Sequence, residues 1–460
     1  MLYLKLIWFL NLFSGSTSFP LPGTRKDNDV PLFTPRNTRS SRTLRGPRRR
    51  LLTGALALAV AAGVLSGCAP QGPENVRFYL SKPEAIPYFR ELVKTYNAEQ
   101  NKIHVTLDTA ANLQAGFLRG NPPDLGLLNY NMEMSRFMER GALSDLGDMP
   151  EASRILPDVQ KLVDQYATYQ GRTSVLPYSV MAASVIYNKQ IFAEQGIAIP
   201  QTWEEFQAAC EKLTAAGITP IYGTFKDPWT VAQGWFDYAV GGMVNVADFY
   251  AGLNKEGTDV GAHSAVSFQK TLLEPTQRMQ QIAQKYTNKD AAAKGYGDGN
   301  LAFAQGKAAM YFQGPWALGE IAKTAPDLQL GTFPLPMTDN PQDLKVRVNI
   351  DLAAWIPEAS KHQKAAREFL SYLFQPSVID DYNAKFLGYG TTTDAAPVTD
   401  PRIVGMREYY DRAAFYQGAS KAIPLTIPTE NYVQGIVLGA DPKSTLATLD
   451  ADWARLALRR

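Results

Sequence analysis

Only two cysteines and three histidines occur in 460 residues, and that scarcity excludes several chemistries. His104, His263 and His362 lie far apart, and no CxxC, HExxH or EF-hand loop spaces ligands for a metal. There is no GxSxG nucleophile turn and no phosphate-binding loop. The stretch Gly295-Tyr296-Gly297-Asp298-Gly299 is rich in glycine, but no strand precedes it and no Lys-Ser/Thr pair follows. It reads as a turn before a helix. No cofactor is implied. Long apolar runs are missing too. The run 51–65 spans only about 22 Å as a helix, short of the roughly 30 Å of a bilayer core.

That short run is nevertheless informative. It follows Arg48, Arg49 and Arg50 and ends in Leu65-Ser66-Gly67-Cys68. A basic start, a short apolar core and small residues before a cut describe an export signal. The ending resembles a bacterial lipobox, which implies that Cys68 carries a lipid and becomes the first mature residue. The arginines leave a twin-arginine export route open. Residues 1–50 hold an apolar patch and then a stretch rich in Arg, Ser, Thr and Pro, which cannot bury enough surface to fold. An upstream start codon or an extended leader accounts for them.

Removing residues 1–67 takes away ten Lys and Arg and two acids, so 46 basic and 44 acidic residues become 36 and 42. The mature chain is net negative, and it offers no basic surface for nucleic acid. Its 393 residues exceed one ordinary core and suggest two lobes. With Cys68 lipidated, Cys210 has no disulfide partner and reads as a small buried apolar residue on the predicted helix 202–216.

Strand patterns fall at 76–80, 103–107 and 125–128, with helical spacing over 84–100 and 132–140. The alternation argues for a parallel sheet. Residues 173–176 and 183–187 look like two strands separated by Pro177-Tyr178. Thr202 and Glu205 are spaced as a capping box. A helix end at 301–306, a strand at 308–312 and helices at 315–324, 360–373 and 403–415 follow.

Several segments then form an ordered series. Phe303-Ala304-Gln305-Gly306-Lys307-Ala308-Ala309-Met310 precedes Gly314-Pro315-Trp316, and Pro123-Asp124 precedes Gly141-Ala142-Leu143. Ile186-Tyr187-Asn188-Lys189, then Pro200, Thr202-Trp203 and Glu205-Phe206, and more weakly Asp400-Pro401-Arg402-Ile403, complete it. From about Val76 to the C-terminus, the series resembles the extracellular solute-binding proteins of ABC importers, in particular the carbohydrate-binding group typified by maltose-binding protein. The resemblance implies an α/β, two-lobed periplasmic-binding-protein-like fold, with a ligand cleft between the lobes and a strand hinge. Transposed here, 1–67 is the leader and 68–75 a linker. Residues 76–180 and 350–399 form one lobe, and 181–349 and 400–460 the other. The crossings are expected near 179–183, 346–352 and 399–402. The resemblance further implies a monomer on the outer face of the cytoplasmic membrane, held by its lipid, that passes a mono- or oligosaccharide to the permease subunits.

Sugars need flat aromatic faces and short polar partners, placed beyond the carboxyl ends of strands. Trp316, at a turn after the strand 308–312, meets both demands and matches the family's pocket tryptophan. Asp227 and Trp229 resemble the acid-proline-aromatic part of that pocket, whereas Trp235 reads as core. Asn129, Tyr130 and Asn131 follow the strand 125–128, although an asparagine there also suits a helix cap. Ser81 and Lys82 end the first strand, and Lys82 could equally be solvated. Asn349 and Asp351 lie where the family tends to carry small residues, and so are added polar ligands or hinge contacts. Met181 replaces a carboxylate found in some members, which argues against a maltose-like cargo. Glu430, Tyr432 and Tyr389 are carried over by fold analogy alone.

Rival readings remain open at this point. A glycoside hydrolase would need two flanking carboxylates, for which Asp227 and Asp351 are available. Tyr409-Tyr410 resembles the pair of ferric-ion binders, although about 100° separates neighbouring side chains on a helix, so one should be core and one exposed. Phosphate esters and polyamines are further ligand classes. A sensor lipoprotein without a permease is the last alternative.

Overall fold

The short apolar runs form the nine strands of one mixed sheet in the computed structural model, which describes residues 72–458. The proposed export signal and Cys68 lie outside the described residues. The described residues fall in one compact unit. The strands are β1 (Glu74–Tyr79), β2 (Ile103–Asp108), β3 (Leu125–Leu128), β4 (Leu176–Asn188), β5 (Ile221–Tyr222), β6 (Met310–Gln313), β7 (Leu330–Phe333), β8 (Val346–Trp355) and β9 (Phe415–Gln417). Their order is β2-β1-β3-β8-β4-β6-β5, with β7 on β4 and β9 on β8.

The expectation of a parallel sheet is only half met. β1 pairs β2 and β3 in parallel, β5 pairs β6 and β8 pairs β9 likewise. The long strands β4 and β8 run antiparallel to each other, β4 also to β6 and β7, and β8 also to β3. The reason lies in the threading. The first part of β4 pairs β8, and its second part, Ser184 to Asn188, pairs β6 and β7. Conversely, the end of β8 pairs β3 and its start pairs β9. Two strands therefore tie two half-sheets together.

β4 also corrects the reading of 173–187 as two strands. It runs unbroken through Pro177, and the pairing register slips between Pro177 and Ser179 and again between Ser179 and Val180. Proline lacks an N–H, and an irregularity in the ladder is where a sheet accepts one. Two of the expected crossings fall on β4 and β8, but residues 399–402 are loop and turn rather than strand. The helix expected over 403–415 is broken as well. A 3-10 turn Val404–Met406 leads into a short helix Arg407–Asp411, and Ala413 at φ 57° ends it before β9. Tyr409 and Tyr410 are both buried, not one in and one out. The Tyr410 hydroxyl donates to the Gly390 carbonyl, which removes the basis for an iron-binding pair.

Local signals elsewhere hold. Thr202 caps the helix Trp203–Ala215 by accepting from the Glu205 N–H. The reciprocal half of the box shifts by one residue, since Glu205 accepts from Gln201 N–H. The helix Tyr296–Ala304 starts directly after Gly295, as the glycine-rich turn suggested. Cys210 is fully buried, and burial pushes its thiol up. No described helix is long and apolar enough to cross a membrane.

Three apolar clusters fill the unit. One lies under the first half-sheet around Phe78, Phe89 and Phe369, and one around Phe206, Trp235 and Phe312. The third joins residues of both half-sheets, among them Tyr130, Val159, Val348, Phe303 and Tyr311. Close packing at β3 is testable. A Cβ on Gly126 would sit 2.0 Å from the ring of Trp355, which is fully buried. Gly126→Ala is expected to cost about 1–3 kcal/mol, read as a lower urea midpoint with unchanged slope.

Candidate functional site

The ends of the parallel strands bring the polar side chains together. Just beyond β1, Lys82 Nζ lies 2.5 Å from Asp351 Oδ2 on β8, with only 13% and 8% of the two side chains exposed. The Tyr382 hydroxyl donates to the same oxygen at 3.1 Å, and Lys82 donates to that hydroxyl at 3.3 Å. Lys82 is thus not solvated but held in a buried triad. Asn129, beyond β3, donates to the Asp351 carbonyl at 3.3 Å, and the Tyr130 N–H bonds the Ile350 carbonyl. Four of the anticipated residues, Lys82, Asn129, Tyr130 and Asp351, therefore meet at one end of the first half-sheet. Ser81 is exposed beside them. Asn131 caps the helix Met132–Glu139, its side chain accepting from Met134 N–H.

On the second half-sheet, Trp316 opens the helix Pro315–Thr324 after β6. It is half-buried, packs against two of the apolar clusters, and donates from Nε1 to Gln313 Oε1 at 3.0 Å. Trp229 is also half-buried, with its ring 5.1 Å from that of Tyr296. Asp227 fixes this pair by accepting from the Tyr296 N–H at 2.7 Å. Burial pushes the Tyr296 hydroxyl up, and the carboxylates of Glu320 and Glu84 push the same way. Glu84 in turn lies 3.8 Å from Lys82.

Other anticipated residues lie away from this cluster. The Tyr389 hydroxyl donates to the Ile403 carbonyl and the ring is fully buried. Tyr432 donates to Asp452 on the C-terminal helix Pro442–Ala457. Glu430 is exposed in the first turn of the helix Thr429–Val437. Asn349 accepts from Arg347 Nη1 at 2.5 Å, within β8. None of these contacts joins the strand-end cluster.

Sequence reasoning missed a second group. Arg347 and Asp237 form a completely buried ion pair at 3.1 Å, and Ser420 donates to the same carboxylate through its N–H and hydroxyl. Gln313 and Gln417, the last residues of β6 and β9, are buried with amide atoms that have no partner among the described residues. The hydroxyls of Tyr130 and Tyr166, whose rings lie 5.4 Å apart, are likewise unpartnered. Burial pushes the Tyr166 hydroxyl up, opposed by the Arg347 guanidinium. The available signal was position at a strand end. It was lost for Gln313 because the strand was expected to stop at 312, and for Gln417 because a helix was expected over 403–415 and no strand was read there.

Two surface depressions lie elsewhere, one lined by Asn254, Thr258 and Trp453, the other by Asp145, Arg172, Glu358 and Arg367. Neither holds a buried polar side chain without a partner among the described residues, so the strand-end cluster is the stronger candidate. No described group of three or more His, Cys, Asp and Glu side chains could hold a metal ion.

A two-part α/β unit joined by long shared strands, with aromatic and polar side chains gathered at strand ends, is the architecture of a solute-capturing protein. Residues 81–379 match the bacterial extracellular solute-binding protein family, and the chain belongs to it. It is similar to the multiple sugar-binding protein of Streptococcus mutans, at 26% identity over 317 residues covering 67% of this chain and 73% of that one. Apo RafE of Streptococcus pneumoniae superposes with a TM-score of 0.73 at 22% identity, covering 85% of this chain and all of the other. RafE in complex with raffinose gives 0.69 at 23% identity, covering 83% and 99%.

Proposed function

We propose that this chain captures a mono- or oligosaccharide between its two half-sheets and delivers it to the permease of an ABC importer. The observation that carries the reading is the meeting, at the end of β6, of half-buried Trp316 with the buried amide of Gln313, whose Nε2 has no partner among the described residues. Trp316 and Trp229 offer flat faces to the C–H side of a sugar, and Gln313 and Asn129 offer short polar partners to its rim. The sugars named for the relatives support the same ligand class. Residues 76–180 with 350–399 make one lobe in this reading, and 181–349 with 400–460 the other. Ligand shifts the population toward the closed arrangement.

The chain acts as a binder and not as a hydrolase. The carboxylates of one pair that a hydrolase could use are engaged, Asp227 with the Tyr296 N–H and Asp351 with Lys82 and Tyr382. A thermal-shift screen of the purified chain tests the ligand class. Raffinose and other sugars should raise the melting temperature by mass action. Shifts confined to phosphate esters, polyamines or ferric iron would overturn the carbohydrate reading.

Cys68 is the anchor in this account, with the chain held as a monomer on the outer face of the cytoplasmic membrane. Cys68→Ser is expected to move the exported protein from the membrane fraction to the soluble fraction. A variant that stays with the membrane would refute the lipid anchor.

A further inference from the structure

Gln313 and Gln417 share an unusual state. They are 1% and 3% exposed. Gln313 Oε1 accepts from Trp316 Nε1, while its Nε2 has no partner among the described residues. Gln417 has no such partner for either Oε1 or Nε2. Buried amides are almost always hydrogen-bonded, because leaving one unpaired is costly. Two at matching strand ends call for a common cause.

They also share a face. Gln313 is in register with Ser184, Gln417 with Val348, and Val348 with Ala182. Positions 182 and 184 of a strand point to the same side. Three strand spacings across the sheet, on the order of 14 Å, and a two-residue step along β4 separate the two glutamines. Between them lie the apolar side chains of the cluster that joins both half-sheets, and Tyr130 and Trp316 pack in or against it. The row carries an amide at each end, with Ser184 beside Gln313 and the apolar Ala182 and Val348 toward Gln417. A neutral amide donates and accepts, as a sugar hydroxyl does, whereas an apolar cargo would leave both amides unpaired.

We infer that Gln313 and Gln417 are specificity-determining contacts that read the hydroxyl pattern of an oligosaccharide lying along this row, Gln313 as a donor through Nε2 and Gln417 through both amide atoms. The inference rests on the carbohydrate reading above. A sugar lacking the matching hydroxyl leaves a buried amide unpaired and is rejected, which discriminates more strongly than apolar contact does.

The test is calorimetric titration of the full chain with the tightest binder among raffinose, maltotriose, chitotriose and xylotriose. Gln313→Leu and Gln417→Leu are each expected to bind it about tenfold or more weakly. For Gln417→Leu the unliganded melting temperature should stay level or rise, because a wholly unpaired buried amide has been replaced by an apolar group, whereas Gln313→Leu also takes the acceptor from Trp316 Nε1 and is read by affinity alone. Gln417→Met, close in volume, carries the same test if leucine disturbs the packing. Unchanged affinity with a lower unliganded melting temperature would overturn the inference, since the amides would then hold structural water or packing. If the unmodified chain binds the sugar and the variants bind it equally, only this inference falls. If no sugar stabilises the unmodified chain in the thermal-shift screen, the carbohydrate reading falls and takes the inference with it.

Discussion

Trp316→Ala is expected to weaken sugar binding by about 2–4 kcal/mol, roughly 30- to 700-fold. The ring is half-buried beyond β6, packs on two apolar clusters and donates to Gln313. Truncation removes a stacking face and also leaves Gln313 Oε1 without its donor, so a ring contact and the fixed orientation of the neighbouring amide are lost together. Trp316→Phe separates them. Phenylalanine keeps a flat face but cannot donate, and an intermediate affinity is expected. The competing role is core packing, which predicts something else: a lower unliganded melting temperature in the alanine variant with the dissociation constant unchanged. Calorimetric titration together with a melting curve distinguishes the two.

The second large effect is on stability. Arg347→Met alone is expected to cost about 3–5 kcal/mol, because it leaves the Asp237 carboxylate buried without its counter-charge. Both partners are wholly inaccessible to solvent. Space around them is also closed, since a Cβ on Gly418 would sit 2.2 Å from Asp237 Oδ2 and 2.7 Å from Arg347 Nε. Arg347→Met combined with Asp237→Leu should recover most of the loss, as an apolar pair of similar volume removes the desolvation penalty. Urea denaturation of the two single variants and the double variant measures this. A double variant as unstable as the sum of the singles would show that the pair is not coupled. The pair matters for the site because it fixes the start of β8 to the helix Asp237–Met243, and β8 carries Asp351 to Lys82.

What was legible in the sequence follows from locality. β3, the helix Pro315–Thr324 and the Thr202 cap depend on neighbours a few residues away, and their expected bounds agree with the structure to within a residue. β4 was split in expectation because Pro177 breaks a local pattern, whereas pairing with β8 carries the strand across it. β9 exists only through its pairing with Val346 to Val348 and has no local signature in three residues. The site divides the same way. Strand ends seen in the sequence led to Lys82, Asn129, Tyr130 and Trp316. Asp351 was singled out, but its partnership with Lys82, 269 residues away, was not visible. Arg347 and Asp237 are 110 residues apart, and nothing in either neighbourhood marks a buried charge.

The most direct test of the central claim is a crystal structure of the chain with the sugar that gives the largest thermal shift. The account predicts a sugar ring against Trp316, hydroxyls on Gln313 and Gln417, and Lys82 still paired with Asp351. Sugar bound away from the strand ends, for example in the depression beside Arg172 and Glu358, would contradict it.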